Sequence, residues 1–425
     1  MLQRIVGVRA LALMVVSITV GAGIFGMPAL AARDLGAAAV LAYVVCAVIM
    51  GLIALCFAEA GSRVAGTGGL YAYATAAFGP MAGGMVGMLL FTANGAFASA
   101  AVAALFANSM ALLVPWFAMP LARAGLLVGM YGAFAWLNIR GVRGGVAAAQ
   151  ATTVVKLMPL LLLVVAGAFF IRFENLRWTV APTFATVGRA STVLIFAFMG
   201  LEGALSISGE VSNPARTVPR AILLGLASVV ALYIGVQLVA QGVLGDTLRS
   251  GSTAPLAETA QVAFGPIGGT LVLIATVLST LGYIAADTLA APRVLLALGT
   301  DGFLPTAVGT IDSVRQTPMI AIVCYLGLAT LLALSGGFAV LAVVAASGTL
   351  AMYLICCLGV LRLRAKGVSG TETPFVMPGG PTIPVLASLG IVALLASLER
   401  TELLWLGVVL AVCAIPYWVR RQALR

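Results

Sequence analysis

Three ionisable side chains stand inside apolar stretches where a charge is costly: Lys156 in TTVVKLMPLL, Glu202 in FMGLEGAL and Asp287 in YIAADTLAA. A charged residue at mid-membrane costs roughly 2.5–3.5 kcal/mol on insertion scales, so each is expected to face water, a partner or a ligand, or to be neutral. For Glu202 a further reading is a hydrogen bond to locally unwound backbone. Glu202 lies between Gly200 and Gly203, and a matching interruption, Gly21-Ala22-Gly23 in ITVGAGIFGMP, occurs about 180 residues earlier. A helix broken at such glycines leaves amides without intrahelical partners, and a half-helix restarting near Ile24 directs its positive end into the break. That is an anion-binding arrangement. Small residues alone also serve helix packing in membranes. Two clusters, one with a carboxylate, favour a ligand site, because unwound backbone is tolerated in lipid where it lines a buried cavity.

Other chemistries are poorly supplied. The chain has no histidine, the commonest metal ligand and general base. Its six cysteines all fall in apolar spans without paired loop spacing, so neither a disulfide framework nor a zinc site is expected. No G-x-x-x-x-G-K-[ST] motif is present for ATP, and no nucleophile–base pair recurs at helical spacing. An enzyme, a metal centre and a bound cofactor are therefore not expected.

The elements that must position these residues are membrane helices. Of 425 residues, 62% are hydrophobic and 8% charged, with mean hydropathy +1.15, against about 25% charged in an ordinary soluble domain. Apolar stretches near the roughly 20 residues needed to span a bilayer recur at 11–33, 37–60, 82–114, 122–139, 147–171, 188–209, 219–244, 267–296, 317–335, 338–361, 383–398 and 402–419. The expected fold is an all-α membrane protein with twelve transmembrane helices, forming one transporter domain over 1–425. Residues 11–171 and 188–361 make two blocks of five helices, with two additional helices at 383–419 beyond a Gly- and Pro-rich linker. Five is odd, so the second block is expected to run inverted relative to the first. A short surface helix is expected over 254–264.

The formal charge of +10 is spread singly over helix ends, which argues against a nucleic-acid partner. It reports topology instead. The ends that include Arg4, Arg9, Arg63, Arg143, Arg220, Lys366, Arg420, Arg421 and Arg425 hold fifteen basic residues, and the opposite ends, with Arg33, Arg177, Arg189 and Arg249, hold seven. The positive-inside rule then places both termini in the cytoplasm.

Four segments carry a resemblance to a known family: VGAGIFGMPAL (20–30), AEAGSRVAGTGGLYAYATAAFGP (58–80), FAFMGLEGALSISGEVSNPARTVPRAI (196–222) and LSTLGYIAADTLAAPRVLLALGTDGFLP (278–305). In this order and at these separations they resemble the amino acid–polyamine–organocation superfamily of transporters. The resemblance implies a LeuT-like 5+5 inverted repeat with helices 1 and 6 broken. It implies that the amides of Ala22, Gly23 and Ile24, next to Gly21, take an amino acid's carboxylate. The carbonyls of Thr19, Phe196 and Met199 take its ammonium, with Gly200 and Glu202 in the same site and Phe196 closing over the ligand. Lys156 stands where sodium-coupled members hold a cation, so it is expected to link the site to helix motion or protonation; the alternative is snorkelling to the membrane surface.

Asp287 departs from the family's apolar or aromatic residue at its place. It is expected to pair with Lys156, accept a proton or meet a cationic substrate group. Arg293, Asp301 and the group Glu210, Arg216 and Arg220 read as loop anchors. The implied function is secondary active amino acid transport in the cytoplasmic membrane by alternating access, proton-coupled or by exchange, with a neutral amino acid as the small-molecule partner. A cationic amino acid or polyamine antiporter is the alternative, and a channel the remote one.

Overall fold

The computed structural model describes residues 7–64, 69–140, 145–178, 181–205, 211, 214–369 and 374–423, and for 145–155, 204–205, 214–215 and 417–423 the backbone alone. Arg4, Arg143, Glu210 and Arg425 lie outside the described residues, as do the side chains of Arg420 and Arg421. The chain runs through sixteen α-helices among these residues: α1 Val8–Thr19, α2 Met27–Leu35, α3 Val40–Arg63, α4 Gly69–Phe78, α5 Pro80–Leu89, α6 Ala98–Leu113, α7 Pro120–Ile139, α8 Gly145–Gly167, α9 Phe184–Phe198, α10 Leu201–Leu205, α11 Pro214–Leu244, α12 Pro255–Thr300, α13 Met319–Ser335, α14 Phe338–Ala365, α15 Thr382–Ala396 and α16 Arg400–Ala423.

Every apolar stretch identified in the sequence overlaps at least one of these helices. Among the described residues, seven helical stretches are long and apolar enough to cross a membrane, or eight if Thr382–Ala396 and Arg400–Pro416, bent by 120°, form one span. Val8–Thr19, Lys156–Phe170 and Met319–Ser335 are apolar but shorter. In α1 the reason is local. The helix stops where Gly21, Gly23 and Gly26 begin, each costing about 1 kcal/mol relative to alanine in a helix interior, and α2 restarts with Pro28 in its first turn, where a missing amide proton is harmless.

Two other irregularities have equally local causes. Gly265, at φ +78°, separates 255–264 from the rest of α12 just before Pro266, giving the expected short helix at that place. Between α5 and α6 the chain winds as a π-helix over Leu90–Phe97. That winding is uncommon and recurs at functional sites.

Burial is distributed as a membrane requires. Helix α14 lies innermost, packed by α3, α4, α6, α9, α15 and the π-segment, with Leu350, Met352, Tyr353 and Cys357 fully enclosed. On the outside stand Leu121, Phe169, Val165, Leu162 and Leu404, all largely exposed. Apolar exposure on this scale suits lipid rather than water. Polar groups that elsewhere would seek solvent are instead inside, including Glu59, Ser99 and Glu202.

One buried cluster ties an end of the bundle together. Glu59 on α3, with no solvent exposure, accepts from Arg63 at 2.9 Å, from Arg364 on α14 at 2.7 and 2.6 Å and from the Met377 amide at 3.0 Å. Arg63 also donates to the Val368 carbonyl at 3.2 Å. At the opposite end Arg189 of α9 joins Asp34 of α2 at 3.9 Å, Glu402 of α16 at 3.7 Å and Glu399.

Candidate functional site

The two glycine clusters meet. After Thr19 the backbone leaves the helix at Val20, with φ −72° and ψ +79°, and the Gly21 amide turns back to the Thr19 carbonyl at 2.7 Å. A short 3-10 turn follows over Gly23–Phe25, in which the Phe25 and Gly26 amides donate to the Ala22 and Gly23 carbonyls at 3.2 and 3.1 Å. The amides of Ala22, Gly23 and Ile24 precede the first bond of that turn, so they are the donors a helix start leaves unpaired. All three residues are buried.

The second break is made by Met199, extended at ψ +153°, and Gly200 at φ +105°. A side chain is excluded at Gly200 twice over. Its φ is one that L-residues rarely adopt, and a Cβ there would lie 3.0 Å from the Ile18 carbonyl oxygen and 3.1 Å from Ile18 Cγ2. With Met199 extended, the Gly200 amide is withdrawn from the Phe196 carbonyl, which loses the partner that a continuous helix would supply.

The Gly200 amide goes to Glu202. That carboxylate accepts from Gly200 N at 3.1 Å, from Asn94 Nδ2 at 2.6 Å and from the Tyr353 hydroxyl at 2.5 Å. Glu202 thus hydrogen-bonds the unwound backbone, one of the readings its sequence setting offered. It also pins α10 to the π-segment and to α14. Four donor contacts offset much of the cost of burying its charge.

Phe196 is buried against the first break, where a Cβ on Gly23 would lie 2.9 Å from its ring. It meets Phe338 edge to face at 5.9 Å. Tyr233 of α11 spans both breaks, its hydroxyl lying 3.0 Å from the Thr19 carbonyl and 2.8 Å from that of Ala197. Lys156, on α8, donates to the Ser17 carbonyl of α1, so its charge goes to the end of the broken helix and not to Asp287.

Asp287 lies apart from that contact. Its carboxylate accepts from the Tyr325 hydroxyl of α13, and Ser99 of α6 faces it. It is half-buried, four residues after Tyr283, whose ring lies 3.8 Å from the Cβ position of Gly21. Of the expected anchors, Asp301 accepts from Tyr71 and Arg293 donates to the Leu289 carbonyl.

Thr19, Gly21, Ala22, Gly23, Ile24, Phe196, Met199, Gly200 and Glu202 are thus gathered around one pair of breaks, with Lys156 touching the first. Sequence reasoning missed Asn94, Tyr233 and Tyr353. These are neutral residues whose partners lie 36 to 214 positions away, and the sole local signal is a polar Asn94 within an apolar span.

The chain is similar to known amino acid transporters. A family profile described as amino acid permease matches residues 6–416. The serine/threonine exchanger SteT of Bacillus subtilis is 25% identical, over 98% of this chain and 96% of its own. The branched-chain amino acid permease BcaP of Lactococcus lactis is 26% identical, over 92% of this chain and 88% of its own. The chloroplastic cationic amino acid transporter 9 of Arabidopsis thaliana is 29% identical, over 72% of this chain and 57% of its own.

Proposed function

The chain belongs to the amino acid permease family, a family of multi-pass membrane transporters rather than enzymes, and from that premise we propose that it is a secondary active transporter carrying a neutral amino acid by alternating access, coupled to protons or to exchange. The observation that supports this best is the meeting of two helix breaks around the buried amides of residues 22–24. Those amides and the dipole of the half-helix behind them suit the substrate's carboxylate. The carbonyls left by the breaks at Thr19, Phe196 and Met199 suit its ammonium. Phe196 would close over the ligand, and Glu202 would hold the second break open from behind. A neutral side chain fits the apolar surroundings of Phe196, Met199 and Leu201, and the serine/threonine and branched-chain relatives point the same way. Asp287 and the cationic relative favour the cationic alternative.

The proposed architecture is twelve spans in a single domain, with 11–171 and 188–361 as inverted blocks and α15 and α16 appended. Its support is that the first helix of each block is the broken one. The arginine asymmetry supports cytoplasmic termini, and the proposed location is the cell membrane. Reporter fusions after Arg220 and Lys366 should read cytoplasmic and those after Arg177 external; any inversion among them breaks the two-block scheme.

Purified protein in liposomes preloaded with serine or leucine should take up the same labelled amino acid by saturable counterflow, and decarboxylated analogues should compete poorly. Equal competition by the amines would remove the carboxylate from the site. In the same assay Lys156→Ala should slow exchange more than it weakens binding, because Lys156 holds the Ser17 carbonyl on the helix that must tilt. Wild-type exchange in that variant would reduce Lys156 to a snorkelling side chain.

A further inference from the structure

Asp287 has a setting unlike that of the other buried carboxylates. Glu59 is matched by Arg63 and Arg364, and Glu202 by a backbone amide, an amide side chain and a tyrosine. For Asp287 no lysine or arginine nitrogen comes within 4.0 Å among the described residues. Lys156, the cation that α8 brings to the neighbouring helix, is spent on Ser17. The groups that face Asp287 are hydroxyls: Tyr325 from α13, Ser99 from α6, Tyr131 from α7 and Tyr283 from its own helix. Ser99 and Tyr131 pair with each other at 3.1 Å, extending the hydroxyls away from the carboxylate. Tyr283 also lies within electrostatic reach of Glu202.

A half-buried carboxylate without a counter-cation gains by being neutral in one state of the carrier and charged in another, as its access to water changes. The hydroxyls around it serve both states, since each donates to a carboxylate or accepts from a carboxylic acid. Tyr283 places this group one helical turn, about 6 Å, from the contact with Gly21 at the first break. A change at one is therefore felt at the other through a single rigid turn of α12.

We propose that Asp287 is the proton-binding site of this transporter: it takes one proton from the outer solution while the substrate site is open outward, crosses as the neutral acid, and releases that proton inward as the carboxylate re-forms. This rests on the transport reading above and names its coupling ion.

The test uses the full chain in liposomes with labelled serine and leucine, and arginine as the cationic probe. Counterflow by the wild type is scored first, and its absence for every probe refutes the transport reading itself. Given counterflow, an inward proton gradient should drive wild-type accumulation above the outside concentration, and failure to do so overturns the proton site. Asp287→Asn mimics the neutral acid, so it should still exchange substrate while gradient-driven accumulation falls to equilibrium and the pH dependence of uptake flattens. Accumulation and a pH profile like the wild type's would overturn the assignment. So would a selective loss of arginine exchange with serine and leucine spared, which would make Asp287 a side-chain contact. Tyr325→Phe gives an independent reading if Asp287→Asn is poorly made. It removes a donor to the ionised form and should move the midpoint of the uptake profile up by about one to two pH units. No shift, or a downward one, would count against the site.

Discussion

Gly23→Val should reduce transport to background while expression and membrane insertion stay normal. A Cβ at Gly23 would sit 2.9 and 3.1 Å from two ring carbons of Phe196 and 3.4 Å from Ala197 Cα, and valine adds two further methyls that its stiff χ1 cannot turn away. The amides of Ala22, Gly23 and Ile24 would be covered by hydrocarbon, so a carboxylate could no longer approach them. Insertion is spared because the break lies between α1 and α2 and contributes little apolar length to either. Gly23→Ala should be milder, since a small shift of the Phe196 ring relieves the contact. Uptake by Gly23→Val at the wild-type rate would remove the first break from the substrate site.

The largest loss of stability is expected from Glu59→Ala. Breaking a buried ion pair by removing one partner typically costs about 3–5 kcal/mol, because the remaining charge is left buried and unpaired. Here two guanidiniums and the Met377 amide lose one acceptor. The wild type's melting temperature in detergent, followed by intrinsic fluorescence, should fall sharply in Glu59→Ala and less in Glu59→Gln, which keeps an acceptor. Since Glu59 joins α3 to α14 and to the segment after it, limited proteolysis should show 366–381 cut first in the variant. A melting temperature equal to the wild type's would mean that the pairing holds no part of the fold together.

Much of this was legible in the sequence because membrane helices announce themselves by composition, and because glycines in an apolar span at 21–26 and 200–203 have few uses there. The place of Asp287 beside the broken helix was also approachable, since a lone acid in lipid demands a reason. Its partner was not. Lys156 and Asp287 are oppositely charged and suggested a pair, but the lysine's reach is taken by the Ser17 carbonyl and the acid turns to Tyr325. The Glu59 cluster escaped for a different cause: Arg364 is 305 residues away, and nothing periodic connects them. Length alone reads the first apolar stretch as one helix, whereas α1 ends at Thr19 because the glycine break follows it.

Tyr233 has one hydroxyl proton and two carbonyls within reach, Thr19 at 3.0 Å and Ala197 at 2.8 Å. It can satisfy one at a time. Thr19 already accepts the Gly21 amide, whereas the break takes away the helical donor that Ala197 would have had, so the proton's resting place is on the second broken helix. The other lone pair of Thr19 then has the polarity that the proposed substrate ammonium would need. Filling it would hold the Tyr233 proton where it already rests, on Ala197. At the junction of the two broken helices one carbonyl would thus be served from within the protein and the other kept open for cargo.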